Sequence, residues 1–290
     1  MKTIRLLACL LALLPALPAW SHSQCTSSLR LSSIPEKRLE IQQRDFQPLI
    51  RLLGEGLGIP VQMVPAGSYA GAIDAVVSGG VDLAMLGPAA YLLARQRDPH
   101  IEAFATPTLA QGHFTPAGAY YHALLVVRAD RDVQTLADLR GARVALSDPA
   151  STSGSVIPNL EFPTAVGRPL QRFFAGQLYT GSHEKALDAL LDGKVEAAFV
   201  SSPRADDYLR RGLISTRSLR VLWRSQPIPN DPLVFSSGLC GELRQRIRAL
   251  LLGDSPQLAA FLHAQQASGL APVGQAAYQA LEQTLINPRR

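Results

Sequence analysis

The chain has 290 residues, 47% of them hydrophobic and 18% charged, with a formal net charge of +5. That length and apolar content suffice for a large core divided between two domains of ordinary size. The charge is too small and too dispersed to describe a nucleic-acid surface, and no repeat or low-complexity run points to a solenoid or a disordered chain.

Lys2 and Arg5 lead into an apolar stretch, Leu6 to Leu14, which Pro15 and Pro18 interrupt before the small and polar run Ala19 to Ser23. This order predicts a signal peptide over residues 1–23 and an exported, periplasmic protein. No later run reaches 18 uninterrupted apolar residues, so no membrane insertion of the mature chain is expected. Cys25 lies near the cut, but the Ser-His-Ser-Gln before it does not resemble a lipobox. Without Lys2 and Arg5, 26 basic and 23 acidic side chains remain, a formal charge of +3. Cys25 and Cys240 are then the two cysteines left in an oxidising compartment, either as one disulfide or as two free thiols.

Strand and helix signals alternate along the chain. Residues 29–34 read as a strand, 46–57 as a helix, 61–64 as a strand and 69–77 as a helix that stops at Gly79-Gly80. A buried strand over 81–86 runs into Gly87-Pro88, and 89–97 is helical. Residues 122–128 form a longer apolar strand, followed by a short helix over 136–139 and a strand over 142–146. Residues 170–174, 177–179, 183–191, 195–200, 204–211 and 221–223 continue the alternation, and from Ile247 onward the pattern is almost wholly helical. Such alternation implies an α/β protein with mainly parallel sheets covered by helices on both faces. Two series meet near residue 127. The expected division is 24–127 with 231–290 in lobe 1 and 128–230 in lobe 2, with a hinged cleft at the carboxyl ends of the strands.

Residues 148–154 read Asp-Pro-Ala-Ser-Thr-Ser-Gly, where Asp148-Pro149 breaks a strand and three hydroxyls stand at the start of a helix. A helix N-terminus has unpaired N–H groups and a partial positive charge, so it attracts anions. The plainer reading is an ordinary N-cap. Four further segments decide between the two: Tyr69-Ala-Gly-Ala-Ile, Val81-Asp-Leu-Ala-Met-Leu-Gly-Pro, Gly181-Ser-His-Glu and Pro227-Ile-Pro-Asn-Asp-Pro. With the heptapeptide, and in this order, they resemble the phosphonate- and phosphite-binding proteins of ABC transporters, a branch of the type II periplasmic binding proteins. Each motif is weak alone, and five in register are specific. The resemblance extends from about Leu29 to Gly253.

The resemblance implies a two-lobed monomer that closes on a small phosphorus oxyanion and delivers it to a membrane permease with a separate ATPase subunit. It assigns the oxyanion to Ser151, Thr152 and Ser153, and further contacts to His183, Tyr69, Tyr120 and Asp231. Tyr121 should face away from Tyr120 on a strand. One departure concerns specificity. Members that bind aminoalkyl phosphonates place a carboxylate where this chain has Pro203. A buried ammonium needs paired partners, so Asp231 alone favours phosphite, phosphate or methylphosphonate. Met85 stands where relatives often carry an aromatic residue and reads chiefly as a core filler.

Other classes find less support. No Gly-x-Ser-x-Gly elbow accompanies Ser151, Ser153 and His183, so no enzyme is expected. The six histidines show no ligand spacing, no Walker motif occurs, and neither metal nor cofactor is expected. A sensor component that docks on a membrane signalling protein is the alternative role for the same fold. A carboxylate or sulfonate ligand is a third reading, disfavoured by the absence of a dedicated arginine in the motif.

Overall fold

A computed structural model describes residues 25–286. The predicted signal peptide over 1–23 lies outside the described residues. The chain begins with three parallel strands, β1 (Leu29–Ser33), β2 (Val61–Met63) and β3 (Leu83–Met85), each followed by a helix. The first helix, Leu39–Leu57, turns Phe46, Leu49, Leu52, Leu53 and Leu57 to the sheet, as the spacing of apolar residues requires, and stops at Gly58. Gly58 has φ 70°, the left-handed conformation that ends a helix without a Cβ clash.

β4 (Glu102–Leu109) then runs beside the first sheet, and β5 (Tyr120–Tyr121) leads out of it. The second sheet takes β6 (Ala123–Arg128), β7 (Arg143–Leu146), β8 (Gly176–Tyr179), β9 (Ala197–Ser201) and β10 (Leu219–Arg224), in the spatial order β10-β6-β9-β7-β8. β11 (Ile228–Pro229) pairs antiparallel with β5, so both chain crossings share one short ribbon. β12 (Leu233–Phe235) and β13 (Ala267–Pro272) complete the first sheet, ordered β13-β4-β12-β3-β1-β2.

Each sheet is sandwiched. One core joins the first sheet to the helices Tyr69–Val77 and Pro88–Arg97 and to Tyr278, and a second fills its other face around Phe46, Phe104, Phe235 and Phe261. Leu124, Leu187 and Tyr208 build one face of the second sheet, and Phe162, Phe173 and Phe199 build the other. Cys25 and Cys240 are bonded, with Cα atoms 5.5 Å apart, and close a span of 215 residues.

Three features depart from the sequence reading. The sheets are mixed: parallel through β1–β3 and β7–β9, antiparallel where β4, β6, β10, β12 and β13 join. β6 belongs to the second sheet, so the first crossing precedes Ala123 instead of falling at 127. The C-terminal part is also not wholly helical, because Ala267–Pro272 forms β13 at a sheet edge. An edge strand tolerates the Gly269 and Pro272 that hide its pattern. Pro107 in β4 obscures that strand in the same way.

Candidate functional site

The ends of five βα junctions meet between the sheets. Tyr69 and His183 are each the first residue of a helix, capped by the hydroxyls of Ser68 and Ser182, which accept from Gly71 N and Lys185 N. Pro88 opens the helix after β3, Ser151 opens the segment after β7, and Ser202 opens the helix Ser202–Arg210 after β9. Each helix start contributes unpaired N–H groups and partial positive charge, with no ionised side chain required.

The hydroxyl segment begins with a wide turn over Thr152–Val156, in which Ser155 N and Val156 N both bond to Ser151 O (3.1 and 2.9 Å). Ser151 Oγ accepts from Gly154 N at 3.1 Å. The N–H groups of Thr152 and Ser153 have no acceptor among the described residues and remain for a ligand. Gly154 is needed here for space: a Cβ would stand 2.2 Å from Ser147 Oγ and 2.8 Å from Ser151 Oγ.

His183 organises the hydroxyls. Ser201 N–H donates to Nδ1 at 3.3 Å, so Nδ1 is the acceptor nitrogen, and Ser147 Oγ lies 2.8 Å from it. Nε2 therefore carries the proton and faces Ser153 Oγ at 3.1 Å and Ser151 Oγ at 3.3 Å. By engaging those oxygens as acceptors, it leaves their O–H protons to point elsewhere, toward an anion. Burial and the nearby Arg204 guanidinium push the imidazole down to about 3, so it is neutral at physiological pH.

The first lobe closes over this group. Ala89 N–H donates to Thr152 Oγ1 at 2.9 Å, which leaves the Thr152 proton as a free donor. The phenol of Tyr69 lies beside Ser151 and that of Tyr121 beside Ser153. Burial and the surrounding carboxylates push both well above their ordinary value, so both are donors. Gly87 makes the close approach feasible. A Cβ there would meet Thr152 Oγ1 at 3.3 Å and Asp231 Oδ1 at 3.9 Å, which places Asp231 at the same spot. Burial and then the nearby Glu36 push the Asp231 carboxyl well above its ordinary value, against the opposing pull of Arg204.

Ser151, Thr152, Ser153, Tyr69, His183 and Asp231 are thus brought together. Tyr120 is not: its side chain is 38% exposed, whereas Tyr121 is 5% exposed and faces the hydroxyls. The alternation along the strand holds, and its phase is the reverse of the expected one, fixed by the pairing of Tyr121 with Ile228 and Tyr120 with Pro229.

A cavity of about 60 Å³ adjoins the group, lined by Tyr121 and Asp231 and also by Glu36, Lys37, Met85 and Arg204. Met85 is therefore a wall of the cavity as well as a core residue. Arg204 is buried, with Nη1 on Asp207 (3.0 Å) and Nη2 on Glu36 of the other lobe (3.2 Å). Further bonds cross the cleft from Gln266 Nε2 to Pro203 O (3.0 Å) and from Arg38 N to the Glu184 carboxylate. The sequence does not single out Ser147, Glu36 or Arg204, and it sets Tyr121 aside in favour of Tyr120. A serine directly before Asp148 and an arginine directly after Pro203 were the available signals. No cluster of metal-ligating side chains occurs among the described residues.

Residues 32–278 match the family model described as ABC transporter, phosphonate, periplasmic substrate-binding protein. The phosphate-import protein of Mycolicibacterium smegmatis is 25% identical over 235 residues, 79% of this chain and 72% of that protein. A binding protein component of an ABC phosphonate transporter from Pseudomonas aeruginosa superposes with a TM-score of 0.82 at 23% identity, covering 90% of this chain and 86% of that one. A Prochlorococcus marinus protein in complex with methylphosphonate superposes with a TM-score of 0.76 at 16% identity, covering 90% and 99%. At these identities the structural likeness speaks for the fold, that of the type II periplasmic binding proteins.

Proposed function

Because the chain belongs to the periplasmic phosphonate-binding family of ABC transporters, we propose that it captures a small phosphorus oxyanion and releases it unchanged to a membrane permease. Phosphite, phosphate or a phosphonate such as methylphosphonate is the ligand class. The carrying observation is the donor set: three hydroxyls oriented by a neutral imidazole, two buried phenols and free N–H groups at helix starts, without one fully charged side chain among them. Dipolar donors hold an oxyanion firmly enough for capture and loosely enough for release, since a buried ion pair with an arginine is harder to separate. The Asp231 carboxyl, whose charged form burial disfavours, lies at the face nearest Gly87 and can donate to a ligand oxygen when it carries its proton.

Closure follows from the distribution of these groups. Ser151, Thr152, Ser153 and His183 hang from the second sheet, and Tyr69, Ala89 N and Asp231 from the first. A ligand that touches both sets favours the closed arrangement by its differential contacts. The joined surface of the two lobes then presents the loaded state to the permease. The protein works as an exported monomer, with its ATPase on another chain.

Thermal melting against phosphite, phosphate, methylphosphonate, sulfate and acetate tests the reading. A phosphorus compound at 100 times its Kd should stabilise the fold by about 2.7 kcal/mol. Raised melting with sulfate or acetate and none with any phosphorus compound would refute it.

A further inference from the structure

The cavity beside the hydroxyl group is the part of the site that a bare oxyanion does not use. Its volume of about 60 Å³ holds about four to six water-sized groups, at roughly 10–15 Å³ each. It begins at Tyr121 and Asp231, next to the oxyanion position, and reaches Lys37 and Arg204. A substituent on phosphorus that pointed away from the hydroxyls would enter it.

The chemistry of the far end is set by Arg204. Its side chain is 6% exposed and is tied to Asp207 and Glu36 through Nη1 and Nη2. Its Nε–H is buried and meets no acceptor. A buried guanidinium donor left unsatisfied is unfavourable, and such a group in a ligand cavity calls for an acceptor from the ligand. The carboxylates close by are already engaged. Glu36 is held by Arg204, Lys37 holds Asp45 at 2.6 Å, and burial disfavours the charged form of Asp231. A cationic substituent would find no free carboxylate and would face the guanidinium. An anionic one would supply the acceptor that Arg204 Nε lacks.

Resting on the reading of the site given above, we propose that Arg204 is a specificity-determining residue that selects phosphonates whose short substituent ends in a carboxylate. One of its oxygens accepts from Nε while the phosphonate oxygens occupy the Ser151–Ser153 group. Pro203 at the first turn of the helix Ser202–Arg210 contributes by fixing the start from which Arg204 projects. The ligand carboxylate would also strengthen closure, because Arg204 sits on the second lobe and its partner Glu36 on the first.

Calorimetry at low ionic strength with phosphonoacetate, methylphosphonate and 2-aminoethylphosphonate tests this. In the wild-type protein phosphonoacetate should bind at least about tenfold tighter than methylphosphonate, and the aminoethyl compound weakest. In Arg204→Gln the phosphonoacetate-to-methylphosphonate ratio should fall to within about threefold, and Arg204→Lys should lie between, since lysine keeps charge and loses the fixed fork. The ranking in the wild-type protein decides the matter even where Arg204→Gln does not fold. Tighter binding of the aminoethyl compound, or a ratio that survives Arg204→Gln, overturns the assignment while leaving the oxyanion site intact. Failure of all three phosphonates overturns the assignment, and the parent reading falls with it when phosphite and phosphate fail to bind as well.

Discussion

Replacing Gly87 with alanine separates the binding site from the fold. Gly87 has φ −65° and ψ 153°, a conformation any residue adopts, so the backbone gives no reason for glycine there. The added methyl would make ordinary contacts inside its own lobe, at 3.5 Å from Ile34 Cδ1 and 3.9 Å from Asp231 Oδ1. Across the cleft it would stand 3.3 Å from Thr152 Oγ1, close enough to force that hydroxyl back by a few tenths of an ångström. Displacing Thr152 weakens the bond from Ala89 N, about 1 kcal/mol. Crowding a packed contact adds about 1 kcal/mol at the low end of its range. Together they predict a loss of about 2 kcal/mol of binding, close to 30-fold in Kd. The ligand-free protein should melt at the wild-type temperature or slightly above it, because alanine reduces the freedom of the unfolded chain by about 0.4–1 kcal/mol. Calorimetry with methylphosphonate and a melt without ligand measure the two effects. Gly67→Ala, where a Cβ meets nothing within 4 Å, is the control. Methylphosphonate binding within threefold of wild type in Gly87→Ala would refute the placement of Thr152 and Asp231 at the oxyanion.

Three other predictions concern stability. His183 has a folded value of about 3 against 6.5 in the unfolded chain, so the unfolded state takes up the proton first. Its contribution is intact above pH 6.5 and is lost as pH falls toward 3. Melting curves should show an acid loss of roughly 2–4 kcal/mol that His183→Asn reduces. Asp231 has the opposite sign: its raised value makes the folded state costlier as pH rises above the ordinary carboxylate range. Asp231→Asn should therefore raise the melting temperature at pH 8 and do little at pH 4, with each kcal/mol worth about 2–4 °C in a chain of this size. Finally, Cys240→Ser opens a loop of 215 residues and should cost about 2–5 kcal/mol, read by denaturant unfolding. An unchanged midpoint would mean that the bond does not constrain the unfolded chain.

The alternation of strands and helices, the hydroxyl segment and the helix starts at Tyr69 and His183 were legible because each follows from local rules. Apolar spacing gives the elements, and caps such as Ser68 and Ser182 give the starts. What stayed hidden depended on partners distant in sequence. The phase of the Tyr120–Tyr121 pair is set by Ile228 and Pro229, more than a hundred residues away, and either tyrosine satisfies a period of two. Ser147 acts only because the turn at Gly154 brings it against His183. Arg204 reads as one more charged residue on an amphipathic helix, and its role requires Glu36 from the other lobe. β4 and β13 are masked by Pro107, which lies beyond the stretch of β4 that pairs with β12, and by Gly269 and Pro272 on the edge strand, residues that a local pattern penalises.

The ribbon formed by Tyr120–Tyr121 and Ile228–Pro229 carries the two covalent links between the sheets, and it also carries Tyr121. The pivot of the molecule and one of its ligand-reading phenols are therefore the same two-residue element. A side chain mounted on the axle moves little as the lobes swing, so it can engage ligand early and hold it through the whole stroke. Arg204 and Glu36, one from each lobe, line the same cavity as Tyr121 and pair across the cleft. Ligand contact and hinge thus share one element, so a change at Tyr121 alters binding and closure together.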